Sequence, residues 1–335
     1  MPMITAREDV LSIYREAADR GWALPCFCSE NLTTTEAILS AAKEYADRVG
    51  IPDLPIMVAI TVQYDHRSQA CYYTHSRRWD LGLKLFMADL GVLTAPGSPY
   101  AGLRVLVHLD HIQFDDDATL LAWDLGPFSS IMFDASKVPF AENIERTAAF
   151  VRAHGQDIVI EGACDEIVDA TGALRSDLTT ADKAEEYFTK TGVDMIVANL
   201  GTEHRATVST LHYYGENARA IRDRIGAKIV LHGASSVPAD QIARLYNDGV
   251  CKVNLWTALE RDTTPTLFAD MVQNACKVAG PNTVARLKEQ GLLGQAASAE
   301  GSNAISHFTT VYRQDIVYAE MKKMVESFLR MWYTV

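Results

Sequence analysis

Three histidines in this chain of 335 residues each follow a short, apolar, β-branched run of the kind that forms a buried strand. They are His111 in VLVHLDH, His204 in NLGTEH and His232 in KIVLHG. Three imidazoles at the ends of three strands can converge on one ion, and three nitrogen ligands with an open position are typical of catalytic zinc. Asp110 directly precedes the first histidine. The pattern therefore predicts a metal centre with a carboxylate beside it for proton transfer.

The elements that must position these residues are eight strand-like runs, which alternate with helix-like segments. The predicted strands are Leu24–Cys28, Ile56–Thr61, Arg104–Leu109, Ser130–Phe133, Ile158–Glu161, Met195–Asn199, Lys228–Leu231 and Cys251–Asn254. The predicted helices between them include Thr34–Val49, Phe140–His154, Ala181–Thr191, Tyr214–Arg224 and Pro238–Asp248. Apolar strands that alternate with helices pair in parallel. Eight such units predict an α/β fold, a (β/α)8 TIM barrel with its catalytic residues at the carboxyl ends of the strands.

The rest of the chain predicts additional helices and no second domain. After Asn254 the pattern is helical over Thr257–Ala279 and Pro281–Glu289, and again near Asp315–Tyr333. No stretch is rich enough in Gly, Ser or Pro to form an interdomain linker. We expect one barrel domain over residues 1–335, with residues 257–335 as a helical C-terminal extension.

Composition and charge exclude several classes of partner. The formal net charge of −12 argues against a nucleic-acid groove and is unfavourable for anionic lipid. No apolar run approaches the roughly 18 residues needed for a membrane span, and the N-terminus lacks a signal-peptide core. The six cysteines are irregularly spaced, as expected for free thiols in a reducing compartment. We expect a cytoplasmic homodimer or homotetramer that binds a small molecule.

Several blocks resemble the class II, zinc-dependent fructose-bisphosphate aldolase family. They are CFCSENLTTTEAIL, VHLDH, SSIMFDASKVPFAENIERT, NLGTEHRATV and KIVLHGASSVPADQIARLYNDGVCKVNLWTAL, in the family's order from about Leu24 to Leu259. The resemblance implies a divergent lyase that cleaves or forms a carbon–carbon bond in a ketose phosphate. It implies Zn²⁺, or another divalent transition metal, on His111, His204 and His232.

The resemblance also assigns the proton carriers. It makes Asp110 the group that moves a proton to or from the carbonyl oxygen of the nascent aldehyde. The alternative is that the carboxylate only orients a ligand histidine. A second acid or base is expected in the acidic loop after the fifth strand. Glu166 is the first candidate and Asp165 and Asp169 are the next candidates, and for each of them a position on a solvated surface loop is the alternative. The family's second glutamate in this region is Ala163 here.

The predicted substrate contacts combine family positions with departures from them. The candidates are Asn31, Asp134, Arg205, Gly233, Ser235, Asn254 and Thr257. Small residues after His232 let backbone N–H groups approach an oxyanion, and Arg205 could clamp a phosphate or carboxylate. Where the family usually has asparagines and an aspartate, this chain has Cys28, Glu30 and Trp256. These departures argue against fructose 1,6-bisphosphate as the substrate.

Two other functions fit parts of the same pattern. A divergent barrel could bind a sugar phosphate as a sensor with little turnover, but binding alone would not need Asp110 as a proton carrier. A metal-dependent hydrolase would use metal-bound water. The H-x-H pair usual at the end of its first strand is absent from this sequence.

Overall fold

Eight parallel strands close into a barrel in the computed structural model, which describes residues 3–166, 178–203 and 212–334. The strands are β1 (Leu24–Cys28), β2 (Pro55–Thr61), β3 (Arg104–Gln113), β4 (Ser130–Asp134), β5 (Val159–Ala163), β6 (Met195–Val197), β7 (Ile229–Leu231) and β8 (Val250–Leu255). Each strand pairs with its sequence neighbours, and β1 closes the ring on β8. The predicted (β/α)8 TIM barrel is confirmed.

Helices cover the outside of the barrel and continue after its last strand. They are α1 (Arg7–Arg20), α2 (Leu32–Val49), α3 (Gln69–Tyr72), α4 (Trp79–Leu93), α5 (Ala118–Leu121), α6 (Phe140–His154), α7 (Ala181–Thr191), α8 (Gly215–Ile225), α9 (Thr257–Gln273), α10 (Ala275–Ala279), α11 (Pro281–Glu289), α12 (Ile305–Phe308) and α13 (Thr310–Trp332). Strands such as β2 and β7 are buried along their whole length, which explains their nearly continuous apolar sequences.

Two predicted helices differ from the observed ones. Pro238–Asp248 was expected to be an α-helix, but this segment contains only a 3₁₀ helix over Ile242–Asp248. The Ser236 hydroxyl forms two hydrogen bonds with the backbone of Glu203. These bonds hold the start of this connection close to the barrel rim. The predicted helix Thr257–Ala279 is divided at Asn274, whose backbone leaves the helical region.

The last helix, α13, returns along the barrel wall and packs against α2 and α9. Val325 and Leu329 are fully buried in this contact. The Tyr333 hydroxyl donates to the Pro55 carbonyl at 2.8 Å, and Tyr45 donates to the Tyr333 carbonyl at 2.7 Å. The last helix, α13, is therefore part of the packed core of the barrel. Within the described ranges, no helix combines the length and apolar character that a membrane span requires.

Candidate active site

A β-bulge positions the first predicted metal ligand. β3 continues to Gln113, past Leu109 where the sequence pattern predicts its end, and its register with β4 shifts between Leu109 and Ile112. His111 sits in this irregularity with φ 49°, a left-handed value that is uncommon outside glycine. Successive strand side chains normally point to opposite faces. The bulge re-aims one of them, which allows neighbouring Asp110 and His111 to reach the same site.

Asp110, His111 and His232 form a group that could hold a metal ion. One potential ligand atom from each lies within 4.8 Å of the others, and all three residues are buried. His111 Nε2 and His232 Nδ1 are 3.0 Å apart. Two nitrogen ligands on tetrahedral zinc, with bonds of about 2.0–2.1 Å, lie about 3.3 Å apart. This donor set therefore fits a divalent transition metal. His204, the predicted third histidine ligand, lies outside the described residues.

Asp134 supports the His111 ring from its other nitrogen. His111 Nδ1 lies 3.3 Å from Asp134 Oδ2, which also accepts a hydrogen bond from Gln113 Nε2 at 2.9 Å. The other oxygen, Asp134 Oδ1, accepts from the backbone N–H and the hydroxyl of Ser136 at 3.0 and 2.6 Å. The Tyr64 ring stacks on His111 with centroids 4.1 Å apart. A carboxylate on the second nitrogen is the usual way to fix a ligating histidine.

The carboxylates and imidazoles of the site stabilise each other's charged forms. Burial raises the pKa of Asp110, but His111 and His108 lower it more, so that it stands well below the usual range of an aspartate. Burial lowers the pKa of His111, whereas Asp110 and Asp134 raise it above its ordinary value. Burial also acts against ionisation of Asp134, but His111 brings its pKa down to about 2. Both carboxyl groups are therefore anionic at neutral pH.

Hydrogen bonds from two strands hold the Asp110 carboxylate in place, and a histidine lies close to it. Asn254 Nδ2 donates to Asp110 Oδ1 at 2.8 Å, and the Cys28 thiol donates to Asp110 Oδ2 at 3.4 Å. His108 Nε2 lies 3.7 Å from Asp110 Oδ1. Burial and the nearby Asp110 raise the pKa of the Cys28 thiol well above its ordinary value, so that it stays protonated and can donate.

A charged network lies below Asp110 inside the barrel. Lys252 Nζ contacts the two carboxylate oxygens of Glu161 at 2.7 and 2.9 Å, and both side chains are fully buried. His108 connects this pair to Asp110, since its Nε2 is 3.6 Å from Glu161 Oε2. His108 Nδ1 lies 2.8 Å from the Ser130 hydroxyl. His108 is therefore a fully buried residue between Asp110 and the ion pair.

The loop after β7 is held tightly against the chain that follows β6. Gly233 has φ 67°, and a Cβ there would lie only 2.7 Å from the Glu203 carbonyl oxygen. Ser236 Oγ accepts from the Glu203 N–H at 2.7 Å and donates to its carbonyl at 2.9 Å. Glycine is therefore required beside His232. Glu203, which makes this contact with Gly233, is the last described residue before the gap at 204–211.

A cavity of about 300 Å³ opens beside these groups. Seven of the predicted site residues line it: Asp110, His111, His232, Gly233, Ser235, Asn254 and Thr257. The lining of this cavity does not include Asn31, whose side chain caps α2 by accepting a hydrogen bond from the Thr34 N–H at 3.2 Å. Arg205 lies outside the described residues. The Ser235 hydroxyl has no hydrogen-bond partner within the described part of the chain.

The acidic loop after β5 is described only in part. Asp165 accepts from the Thr179 hydroxyl at 2.6 Å and pairs with Lys183, so that it is engaged locally. Glu166 is exposed and lines a narrow cleft that also contains His111 and Asp134. Asp169 lies outside the described residues. Asp165 lines the same cleft, but its carboxylate is bound by Thr179 and Lys183, whereas Glu166 is exposed.

Several cavity residues were not predicted from the sequence. Arg67 binds Glu30 through Nε, 3.0 and 3.1 Å from the two carboxylate oxygens, and through a further contact from Nη2. Glu30 also accepts from Trp256 Nε1 at 2.6 Å. Met324 and Phe328 reach the cavity from α13. Nothing in the sequence of α13 indicates that its residues border the site.

Comparison with known proteins identifies a family and a shared fold. Residues 8–332 match the family model described as class-II fructose-bisphosphate aldolase. The structure is similar to that of a fructose-bisphosphate aldolase from Campylobacter jejuni, with a TM-score of 0.73, 16% identity and coverage of 99% of this chain and 96% of that chain.

Two further solved structures share the architecture. A putative fructose-1,6-bisphosphate aldolase from Coccidioides immitis has a TM-score of 0.66 and 21% identity, with 96% of this chain and 95% of that chain covered. The YdjI aldolase from Escherichia coli K12 has a TM-score of 0.64 and 18% identity, with 95% and 94% covered. At these identities the structural likenesses establish the fold.

Proposed function

Since this chain belongs to the class II fructose-bisphosphate aldolase family, we propose that it is a metal-dependent aldolase acting on a ketose phosphate or a related polyhydroxy ketone. The observation that carries the proposal is the convergence of Asp110, His111 and His232 in one cavity at the rim of the barrel. This arrangement pairs donors for a divalent cation with a buried carboxylate, as a reversible carbon–carbon lyase requires.

The proposed metal ligands are His111, His204 and His232, and the proposed metal is Zn²⁺ or another divalent transition metal. The short distance between the His111 and His232 nitrogens and the carboxylate behind His111 support this choice. When bound, the metal would act as a Lewis acid toward the substrate oxygens. Asp134 and Tyr64 would keep the His111 ring in a fixed orientation while substrate binds and leaves.

Asp110 would carry the proton that moves during cleavage. Its carboxylate accepts the proton of the substrate hydroxyl as the carbon–carbon bond breaks, and the oxygen becomes the aldehyde carbonyl. The bonding electrons pass to the carbon next to the ketone. In the reverse direction Asp110 returns the proton to the new hydroxyl. Asn254 and Cys28, which donate to its two oxygens, would hold the carboxylate in position.

Glu166 would exchange the second proton. The carbon that receives the bonding electrons must be protonated to release the ketone product, and the same carbon loses that proton in the synthetic direction. Glu166 borders a cleft with His111, which supports this role. The exposed position of Glu166 lets its carboxyl group exchange protons with solvent between turnovers.

Most of the remaining predicted residues would bind the substrate. Gly233, Ser235 and Thr257 line the cavity around the metal ligands, and the Ser235 hydroxyl is available to a ligand within the described chain. Asp134 would act through His111. Arg205 stays a predicted contact for an anionic group, and Asn31 a predicted contact whose amide also caps a helix.

A substrate screen tests the proposed function. We expect at least one ketose, ketose monophosphate or ketose bisphosphate to be cleaved to an aldehyde and a ketone. We expect a chelator to abolish this cleavage and added Zn²⁺ to restore it, because the cation would polarise the substrate carbonyl. Turnover that is unaffected by complete metal removal would contradict the proposal, as would the absence of cleavage across the whole panel.

A further inference from the structure

One side of the cavity is apolar. Side chains from the connection after β7, from the end of β8 and from α13 form this side, which we call the apolar compartment: Val237, Ile242, Leu255, Trp256, Met324 and Phe328. The metal ligands and Asp110 line the same cavity, so a substrate held at the metal site can extend into the compartment. Ligand pockets place hydrophobic walls around the uncharged parts of the ligands they bind.

Trp256 is fixed as part of this wall. Its indole N–H, the only polar group of the side chain, donates to Glu30 at 2.6 Å. Glu30 is itself 6% exposed and held by Arg67. With its hydrogen-bonding capacity used, Trp256 offers a hydrocarbon surface to a ligand. The Cys28 side chain adds a further weakly polar group to the cavity.

The cations around the cavity are already compensated. Within the described ranges, its positively charged lining residues are Arg67 and Arg261. Arg67 contacts Glu30 through two nitrogens, and Arg261 binds Asp262 at 2.5 and 3.0 Å. The N-terminus of a helix attracts anions, but the first turn of α9 carries an acid of its own, Glu260, which opposes this attraction. A phosphate in the apolar compartment would lose its hydration without gaining a free cation.

We propose that the substrate places an uncharged, apolar end in the apolar compartment, so that the enzyme acts on hydroxyketones with an alkyl or aryl substituent at that end. The inference rests on the proposed function, because it names the substrate class of the same site. It makes Trp256 a residue that determines specificity. The carbons that react would remain at the metal ligands and Asp110, and the substituent would lie against Trp256 and Phe328.

Two uncleavable ketones with the same hydroxyketone head test the inference. One is 1-hydroxy-5-methylhexan-2-one, which ends in an isopropyl group, and the other is 5-hydroxy-4-oxopentyl phosphate. Neither carries a hydroxyl group β to the ketone, so calorimetry on the full chain measures binding alone. We expect the isopropyl ketone to bind at least about tenfold more tightly, because each buried methylene adds severalfold to affinity. We repeat both titrations in the presence of a chelator, so that direct coordination of the phosphate by a metal cannot contribute to its affinity.

Two substitutions of Trp256 test whether the preference depends on the apolar side chain at this position and not on a general effect on folding. Trp256→Leu keeps the wall apolar, and we expect it to retain the preference for the isopropyl ketone. Trp256→Asp should remove the preference. Trp123→Asp is the matched control, since Trp123 packs on Trp79 and does not line the cavity. Thermal unfolding of each variant checks that it folds.

The outcomes separate this inference from the proposed function. Failure of the isopropyl ketone to bind, or equal or tighter binding of the phosphate ketone in the chelated protein, overturns the inference. A preference that survives Trp256→Asp also overturns it. Aldolase turnover with a preference for phosphate leaves the proposed function standing, whereas an apolar preference in a protein without turnover supports the compartment and rejects the aldolase.

Discussion

Asp110 and Asp134 are two buried carboxylates on either side of His111, and their contacts give them different tasks. Asp110 borders the cavity and belongs to the potential metal group. Asp134 instead contacts the far nitrogen of the ring and is held by Gln113 and Ser136. The position of Asp110 suits proton transfer to the substrate, while that of Asp134 suits orientation of a ligand. Isosteric amides at the two positions can separate these tasks.

Asp110→Asn should retain the metal and lose cleavage. An amide cannot accept the hydroxyl proton, so we expect kcat to fall by roughly 10²–10⁴-fold. Steady-state kinetics and metal analysis on the same preparation measure the two effects. Loss of the metal in this variant would make Asp110 a ligand, and unchanged turnover would reject its role as the proton carrier.

Asp134→Asn should have the opposite effect, which is weaker metal binding with cleavage largely retained once the metal site is filled. Loss of the carboxylate behind His111 should weaken metal affinity by about 10–100-fold. With saturating Zn²⁺ much of the activity should return, because Asp110 is intact. A competition titration with a chromogenic chelator measures the affinity. Wild-type metal affinity in this variant would show that Asp134 does not support the ligand.

At the level of elements, α9 begins at the cavity and carries a partly buried acid, Glu260, in its first turn. Burial raises the pKa of Glu260 from 4.5 to about 7, and Glu30 adds to this effect while Arg67 opposes it. One oxygen of Glu260, Oε1, has no hydrogen-bond partner within the described residues. The folded protein therefore favours the protonated form of Glu260 more than the unfolded chain does.

The stability of the protein should consequently depend on the ionisation of Glu260. The contribution of this group is fully present below pH 4.5 and is lost as the pH rises through about 7. We expect Glu260→Gln to be less sensitive than the wild type to a rise from pH 5 to pH 8. Urea unfolding of both proteins at the two pH values measures the difference. Parallel pH profiles would refute the raised pKa.

The elements also show what the sequence could and could not predict. Short apolar runs that alternate with helical segments identified all eight strands, and the ends of these runs located Asp110, His111 and His232. The bulge in β3 could not be predicted, because it depends on the register with β4. The cavity wall combines Trp256 with Phe328, which lie far apart in sequence. Their proximity follows from the return of α13 along the barrel, which periodicity does not encode.

At the scale of the whole molecule, the barrel interior contains a buried ion pair below the site. Lys252 and Glu161 are both fully buried, and His108 links them to Asp110. Two charges removed from water are compensated only while both are present. The pair therefore makes the stability of the barrel and the position of Asp110 depend on the same contacts.

Lys252→Met should leave Glu161 as an unpaired buried charge. We expect the free energy of unfolding to fall by about 3–5 kcal/mol. The double variant Lys252→Met with Glu161→Gln is the control, and it should recover part of the loss because the remaining side chain is uncharged. Denaturant unfolding measures both. A single variant as stable as the wild type would argue against a charged pair in the barrel.

The central claim is that histidines from separate strands bind one catalytic metal ion. The most direct test is the metal content of the purified chain after equilibration with Zn²⁺ and removal of unbound metal, for the wild type and for His111→Ala, His204→Ala and His232→Ala. We predict about one zinc ion per chain in the folded wild type and a large loss in each variant. A folded wild type without bound metal, or variants that bind zinc as tightly as the wild type does, would contradict the account.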